Sequence, residues 1–366
     1  MGRGKAELPT THLGRGILCR AAFCAGHPGI MRWRSRPIRT SMGARIVMIS
    51  RFFLVFLTAA SLARADIEIT VAARGPVPSV QAGLDQVRAL RKAGQTGPAT
   101  LWLQSGLYEQ TKPLSLEAAD SDLTIRAAKG AAPECVGAVA VENFKPYKDH
   151  IVQADVSVLM TKGTKYRQVL FDEERMILAR WPNFDANDPL YGGWAFVDEI
   201  PKAAMEAHQW KSEMYVSPKD VRTWAHPEDV EMDIFAMYGW WNFIQPVKSL
   251  DAATRKLTLA KPCGYDLHPH NRYHFQNALE ELDSPGEWFI DVRTGTLYVW
   301  PPAPLDKHSV RLVTLGSFIK MGAGAKNITV SGLRFTGCNG TAISLEKTEH
   351  CHIEGCTFTT VGDFSG

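Results

Sequence analysis

Two ten-residue stretches near the C-terminal end, ITVSGLRFTG (328–337) and CHIEGCTFTT (351–360), superpose with a shift of 23 residues. Ile328 meets Cys351, Val330 meets Ile353, Gly332 meets Gly355, Leu333 meets Cys356 and Phe335 meets Phe358. A period of roughly 20–30 residues built from short strands marks a solenoid, because one repeat cannot bury its own apolar face and stacked neighbours do so together. In that register the apolar positions stack inward, while Thr329, Ser331, His352 and Glu354 point outward. The glycine at the shared position supplies the bend between two strands. The intervening NGTAISLE reads as turn plus strand, as a coil with several strands requires. The expected fold class is all-β: a right-handed parallel β-helix.

The beginning of the folded chain agrees with a solenoid. A short strand, IEITVA, precedes a helix that Ser79 can cap; Val80, Leu84, Val87 and Leu90 fall at helical spacing and Gly94 ends the run. Short β runs follow, with Leu101 and Leu103, then Leu114 and Leu116, alternating as half-buried strands do. The region 66–149 is therefore expected to be an N-terminal capping helix with the first coils. Residues 150–310 differ in character. They hold eight of the ten tryptophans among strand-like runs such as RQVLFDEERMILARWP, and read as an inserted β-rich domain. Residues 311–366 return to coils. They stop at VGDFSG without a capping helix or polar final repeat, although an open solenoid end would leave an unpaired, apolar edge. The expectation is a chain truncated at its C-terminus, with further coils beyond residue 366.

The net charge of +3 conceals an uneven distribution. Residues 1–65 hold eleven of the 41 basic residues and one of the 38 acidic ones, which leaves 30 basic and 37 acidic in 66–366. An acidic mature chain speaks against a nucleic-acid partner. The basic head contains Arg51, then FFLVFLTAASL, then Ala63-Arg64-Ala65, the charged, apolar and small-residue succession of a secretory signal. Its apolar run is shorter than the roughly 20 residues of a membrane span. Met48 is the expected start, cleavage falls after Ala65, and the product is secreted, periplasmic or at the cell surface, with no stable membrane insertion. The cysteines that remain, Cys135, Cys263, Cys338, Cys351 and Cys356, are odd in number and widely spaced, so stability is expected from packing rather than disulfides.

Several stretches together resemble a known group. GLYEQTKPLSL, VLFDEERMILARWPN, NALEELDSPGEWFIDVRTGTLYVWPP and ITVSGLRFTG occur in this order in secreted bacterial right-handed β-helix proteins related to glycoside hydrolases of the xylosidase and fucosidase types, and more loosely to pectate lyases. The resemblance covers roughly 75–362. It implies a carbohydrate-active enzyme that cleaves a polysaccharide or oligosaccharide with a carboxylate pair carried on later coils beyond residue 366, so that this chain by itself is expected to be inactive. A β-helix adhesin or polysaccharide-binding scaffold is the alternative, and a polysaccharide lyase a third.

Candidate site residues within the chain are few. Glu287 and Asp291 flank three apolar residues of PGEWFIDVRTGTLYVWPP, but four residues of extended strand separate them by about 13 Å on one face, and VRTG reads as a hairpin turn. Glu280 and Glu281 of NALEELD are the weak catalytic candidates, able to offer a carboxylate to a cleft. Trp240 and Trp241 of YGWWNF are the weak substrate-binding candidates, since indoles stack on sugar faces; in a strand, one would face the core and one the solvent. His268, His270 and His274 have a spacing compatible with zinc but read more simply as loop histidines. His350, Cys351, His352 and Cys356 alternate out and in, so they cannot share an ion. Asn327-Ile-Thr and Asn339-Gly-Thr match glycosylation acceptors. There is no G-x-G-x-x-G, G-x-S-x-G or Walker loop, and Asp172–Glu174 is too sparse for calcium. No cofactor and no metal are expected.

Overall fold

The computed structural model describes residues 65–161, 163–207 and 210–362. The signal-like head up to Arg64, Met48 included, lies outside the described residues, and Ala65 and Asp66, on either side of the expected cleavage, are exposed. Among those described, no helix is long and apolar enough to cross a membrane.

The protein is mostly β, and its sheets are of two kinds. Three sheets pair only in parallel. The first runs Ile67–Val71, Ala99–Leu103, Leu123–Ala127, Ile328–Ser331, His352–Glu354. The second runs Gly106–Glu109, Pro133–Val136, Arg334–Cys338, Thr357–Val361. The third runs Leu114–Leu116, Ile319–Met321, Ile343–Leu345. The pairs Val330↔Ile353 and Phe335↔Phe358 carry the 23-residue shift seen in the sequence. Gly332 and Gly355 both have positive φ, 69° and 59°, where a side chain would be strained. Alternate residues of these strands point into a shared core, with Leu101, Leu123, Ile125, Ile328 and Val330 fully buried. Phe318 and Phe335 meet within it, and Phe358 lies 5.2 Å from Phe335 and nearly coplanar; Ile353 and Phe358, expected inside, are exposed, since no described strand covers the last repeat. Ser331, expected outside, is buried, because Arg126 and Glu354 of the strands on either side flank it.

One longer helix, Val80–Lys92, covers the start of this core. The Ser79 hydroxyl accepts from the Ala82 amide at 3.1 Å, the N-cap bond its sequence position calls for. A Cβ on Gly83 would stand 2.9 Å from Val71, so glycine here lets the helix lie close on the first strand.

Residues 138–313 build the other sheets, which are antiparallel or mixed. One contains Glu174–Arg175, Val169–Phe171, Val310–Val313 and Ala138–Val141. In the second, Ile177–Leu178 pairs in parallel with Glu287–Asp291, which forms the expected hairpin with Thr296–Val299 around Gly295 (φ 70°). The third is a seven-stranded antiparallel sheet that includes Arg180–Trp181, Arg272–Gln276, Glu231–Ala236 and Trp241–Asp251. An exclusively parallel architecture therefore does not describe the whole chain. Each kind of sheet has its own core: Trp288, Ile290, Leu297 and Val299 in the hairpin cluster, and Met232, Ile234, Tyr273 and Phe275 beneath the seven-stranded sheet. The five cysteines are all free; Cys351 and Cys356 are half-buried against the parallel-sheet core, and His350 and His352 are exposed.

Candidate functional site

The seven-stranded sheet has an ordinary face and an anomalous one. In Glu231–Ala236, Met232, Ile234 and Ala236 enter the core, which leaves Glu231 and Asp233 on the opposite face. In Arg272–Gln276, Tyr273 and Phe275 enter the core and His274 and Gln276 oppose them. The antiparallel register sets Gln276 between Glu231 and Arg180, and His274 beside Asp233. A polar sheet face is normally wet. Here Arg180, Glu231, Asp233, His274 and Gln276 are all at most 9% exposed. While Glu231 lines a neighbouring cleft, residues 175–178 and Phe184, together with Arg180, Asp233, His274 and Gln276, line one of about 280 Å³. Arg167, Arg175, Arg180, Asp233, His274 and Gln276 supply its polar lining; Met176, Ile177, Leu178, Phe184 and Ile244 supply the apolar wall.

The charges within this layer are unequally matched. Glu231 accepts from Lys165 Nζ at 2.6 Å, from both terminal nitrogens of Arg167 and from Gln276 Nε2 at 3.3 Å. Burial alone would raise its pKa, but Arg167 and Lys165 outweigh burial and hold it below the usual carboxylate value. Asp233 has weaker support: Asn242 Nδ2 lies 3.2 Å from it. Burial pushes its pKa up to about 6 despite Asn242 and Arg180, and the Glu231 charge adds to the rise. Two carboxyls two residues apart on one strand face stand about 6.5–7 Å apart along the chain, one held ionised and the other ready to take a proton.

Arg180 gives its Nε to the Pro182 carbonyl at 2.9 Å and Nη2 to the Gly193 carbonyl at 2.5 Å, and its guanidinium lies 5.1 Å from the Trp194 ring. Burial lowers its pKa to about 10, against the opposing pull of Asp233 and Glu287. His274 is buried, and burial followed by the Arg180 charge keeps it neutral. Gln276 donates to Glu231, so its carbonyl oxygen faces His274 Nε2 at 3.1 Å and accepts from it. That tautomer leaves His274 Nδ1 a bare acceptor, and it has no partner.

The residues singled out in the sequence lie elsewhere. Glu281 is buried and accepts from Trp224 Nε1 at 2.7 Å, with Arg222 at 3.7 Å; burial raises its pKa. Glu280 accepts from the Ala225 amide at 2.7 Å. Both tie the Leu279–Glu281 turn to residues 222–225, and neither lines the cleft. Trp240 and Trp241 are 61% and 43% exposed, their rings 5.8 Å apart and nearly perpendicular. Strand alternation does not apply to Trp240, which sits in the turn before the strand that begins at Trp241. Glu287 and Asp291 do not converge: Asp291 meets Arg293 at 3.0 Å, whereas Glu287 is buried, accepts from the Asp283 and Ser284 amides, and is pushed by burial up to about 8. His268 and His270 are exposed and His274 is buried. Among the described residues, no group of three His, Cys, Asp or Glu side chains could hold a metal ion. The signal that was available is the run EMDIFA, where two acids alternate with core residues.

No family model matches the chain, and no curated protein matches its sequence. Solved structures do. A glycoside hydrolase structure aligns with a TM-score of 0.59 and 17% identity over 74% of this chain and 51% of that one. The chain thus spans about half the length of that structure, and the likeness concerns the fold. Lower scores are found for a complex of XylC with xylose (TM-score 0.30, 12% identity, 74% of this chain and 35% of that one). A tailspike of an Acinetobacter baumannii bacteriophage with capsular saccharide gives a TM-score of 0.14 at 6% identity, over 74% of this chain and 43% of that one. Neither of these two bears on the argument.

Proposed function

We propose that this chain is part of a secreted, carbohydrate-active β-helix protein of the glycoside hydrolase kind, and that the cleft lined by Asp233, His274 and Gln276 receives a saccharide. In this reading the three parallel sheets are the faces of right-handed coils, and the Trp-rich region, roughly 150–310, is an insertion that supplies the cleft. The 23-residue register and the fold shared with a glycoside hydrolase support the architecture. Secretion rests on the FFLVFLTAASL run and Ala63-Arg64-Ala65.

The observation that carries the functional reading is the pair of neighbouring carboxyls on one strand face whose pKa values are pushed in opposite directions. Glycosidic hydrolysis uses two carboxyls roughly 5–10 Å apart, one giving a proton to the leaving oxygen while the other stays ionised. Asp233 suits the first part. As the bond between the anomeric carbon and the leaving oxygen breaks, the Asp233 proton passes to that oxygen. Water adds to the anomeric carbon, and its proton passes to an ionised carboxylate; Glu231, the ionised neighbour of Asp233 on the strand, lines the adjoining cleft with Lys165 and Arg167. One feature favours a second reading, a polysaccharide-binding scaffold: the Glu231 oxygens are already engaged by Lys165, Arg167 and Gln276.

Release of reducing ends and simple retention, measured over a panel of polysaccharides, separate the two. The hydrolase reading expects release, and Asp233→Asn should lower it by about 100-fold or more with retention intact. Retention without release selects the scaffold. Product absorbing in the ultraviolet would indicate a lyase, and neither release nor retention would overturn the saccharide reading.

A further inference from the structure

The charges that line the cleft do not balance. Arg167, Arg175 and Arg180 face it against one carboxyl, Asp233. Arg167 is answered by Glu231, which also answers Lys165. Arg180 is different. It is 6% exposed, and its printed hydrogen bonds go to two main-chain carbonyls. No carboxylate lies within 4.0 Å of it among the ion pairs of the described residues. The other carboxyl that bears on it, Glu287, is pushed by burial up to about 8. A guanidinium taken out of water without a contact anion is costly; here the two carbonyls, the Trp194 and Phe184 ring faces and the more distant Asp233 offset part of that cost, and no carboxylate among the described residues touches it. Beside it, the bare Nδ1 of His274 is a second buried polar atom without a partner on the same lining.

We infer that the saccharide taken by this cleft carries an anionic group, a uronate carboxylate or a sulfate ester, which pairs with Arg180 while a sugar hydroxyl donates to His274 Nδ1. This rests on the saccharide reading above and adds its chemical class. A planar guanidinium fork matches a carboxylate through two parallel hydrogen bonds and a sulfate through its oxygens. The apolar wall of Ile177, Leu178 and Phe184 would lie against the ring carbons.

The test is binding of three probes to the whole chain at low and high salt: a galacturonic acid trisaccharide, its methyl ester and a sulfated galactan trisaccharide. The expected result is that at least one anionic probe binds about tenfold or more tightly than the neutral ester. The two anionic arms tell carboxylate from sulfate. Arg180→Gln should abolish the difference while leaving the ester's affinity in place. Should that variant fail to fold, Arg175→Gln, at a half-buried lining position, should narrow the difference. Equal or tighter binding of the ester overturns the anionic class and leaves the saccharide reading standing. Binding of none of the three overturns both.

Discussion

Glu287 shows how far a side chain's chemistry can depart from its place in a sequence pattern. In the sequence it belongs to an acidic pair on a hairpin strand. In the structure it is buried, with Oε2 on two backbone amides and Oε1 without a partner. Its folded pKa, about 8, lies above the ordinary value of 4.5, so the folded state binds the proton more tightly. Stability must then fall as pH rises from about 4.5 to about 8 and level off above, by at most about 5 kcal/mol. Asp233 acts in the same direction between its ordinary 3.8 and about 6. Thermal unfolding of Glu287→Gln should show a higher Tm than the unsubstituted protein at pH 8 and little difference at pH 5. Equal Tm shifts at both pH values would contradict the assignment. None of this was legible beforehand: whether a carboxyl is covered depends on residues distant in the chain, here Ile177, which pairs with Glu287 across the sheet.

Individual elements were more readable than individual charges. The capping helix, its Ser79 cap and the hairpin around Gly295 all follow from local signals, because a helix cap and a turn are set by residues within a few positions. The register of Phe335 against Phe358 was visible for the same reason, as a repeat in one dimension, although Phe358 itself is exposed. Phe335 is 1% exposed with rings on both sides, so Phe335→Ala should cost about 3–5 kcal/mol, read as a lower denaturant midpoint. A change below about 1 kcal/mol would show that these ring contacts do not support the parallel sheets. The run EMDIFA shows the limit of local reading. Its alternation announces a half-buried strand, but only the register with Arg272–Gln276 and Arg180–Trp181 gathers Arg180, His274 and Gln276 around its acids. Glu280 and Glu281 stood out because they are adjacent, and adjacency in a turn sent them to different partners, Ala225 and Trp224.

For the whole molecule, the decisive contacts are long-range: Leu123–Ala127 lies beside Ile328–Ser331, with residues 128–327 between them, and Leu114–Leu116 lies beside Ile319–Met321. The intervening antiparallel sheets were expected as a β-rich insertion, but their pairing could not be read, since it joins strands such as Ala138–Val141 and Val310–Val313 that share no repeat. Charge, too, differs between the whole and the part. Residues 66–366 carry more acid than base, whereas the cleft lining is cationic. Attraction of an anionic sugar is then a short-range property of the cleft, and added salt should weaken binding only modestly, as expected for charges withdrawn from solvent. A steep salt dependence would place the anion on the surface instead. The central claim is that the cleft lined by Asp233, His274 and Gln276 is where a saccharide sits. Amide hydrogen exchange with and without a bound oligosaccharide tests it most directly. Protection gained in 176–184, 231–236 and 272–276 is the predicted result; protection confined to the Trp240–Trp241 turn or to the parallel sheets would contradict it.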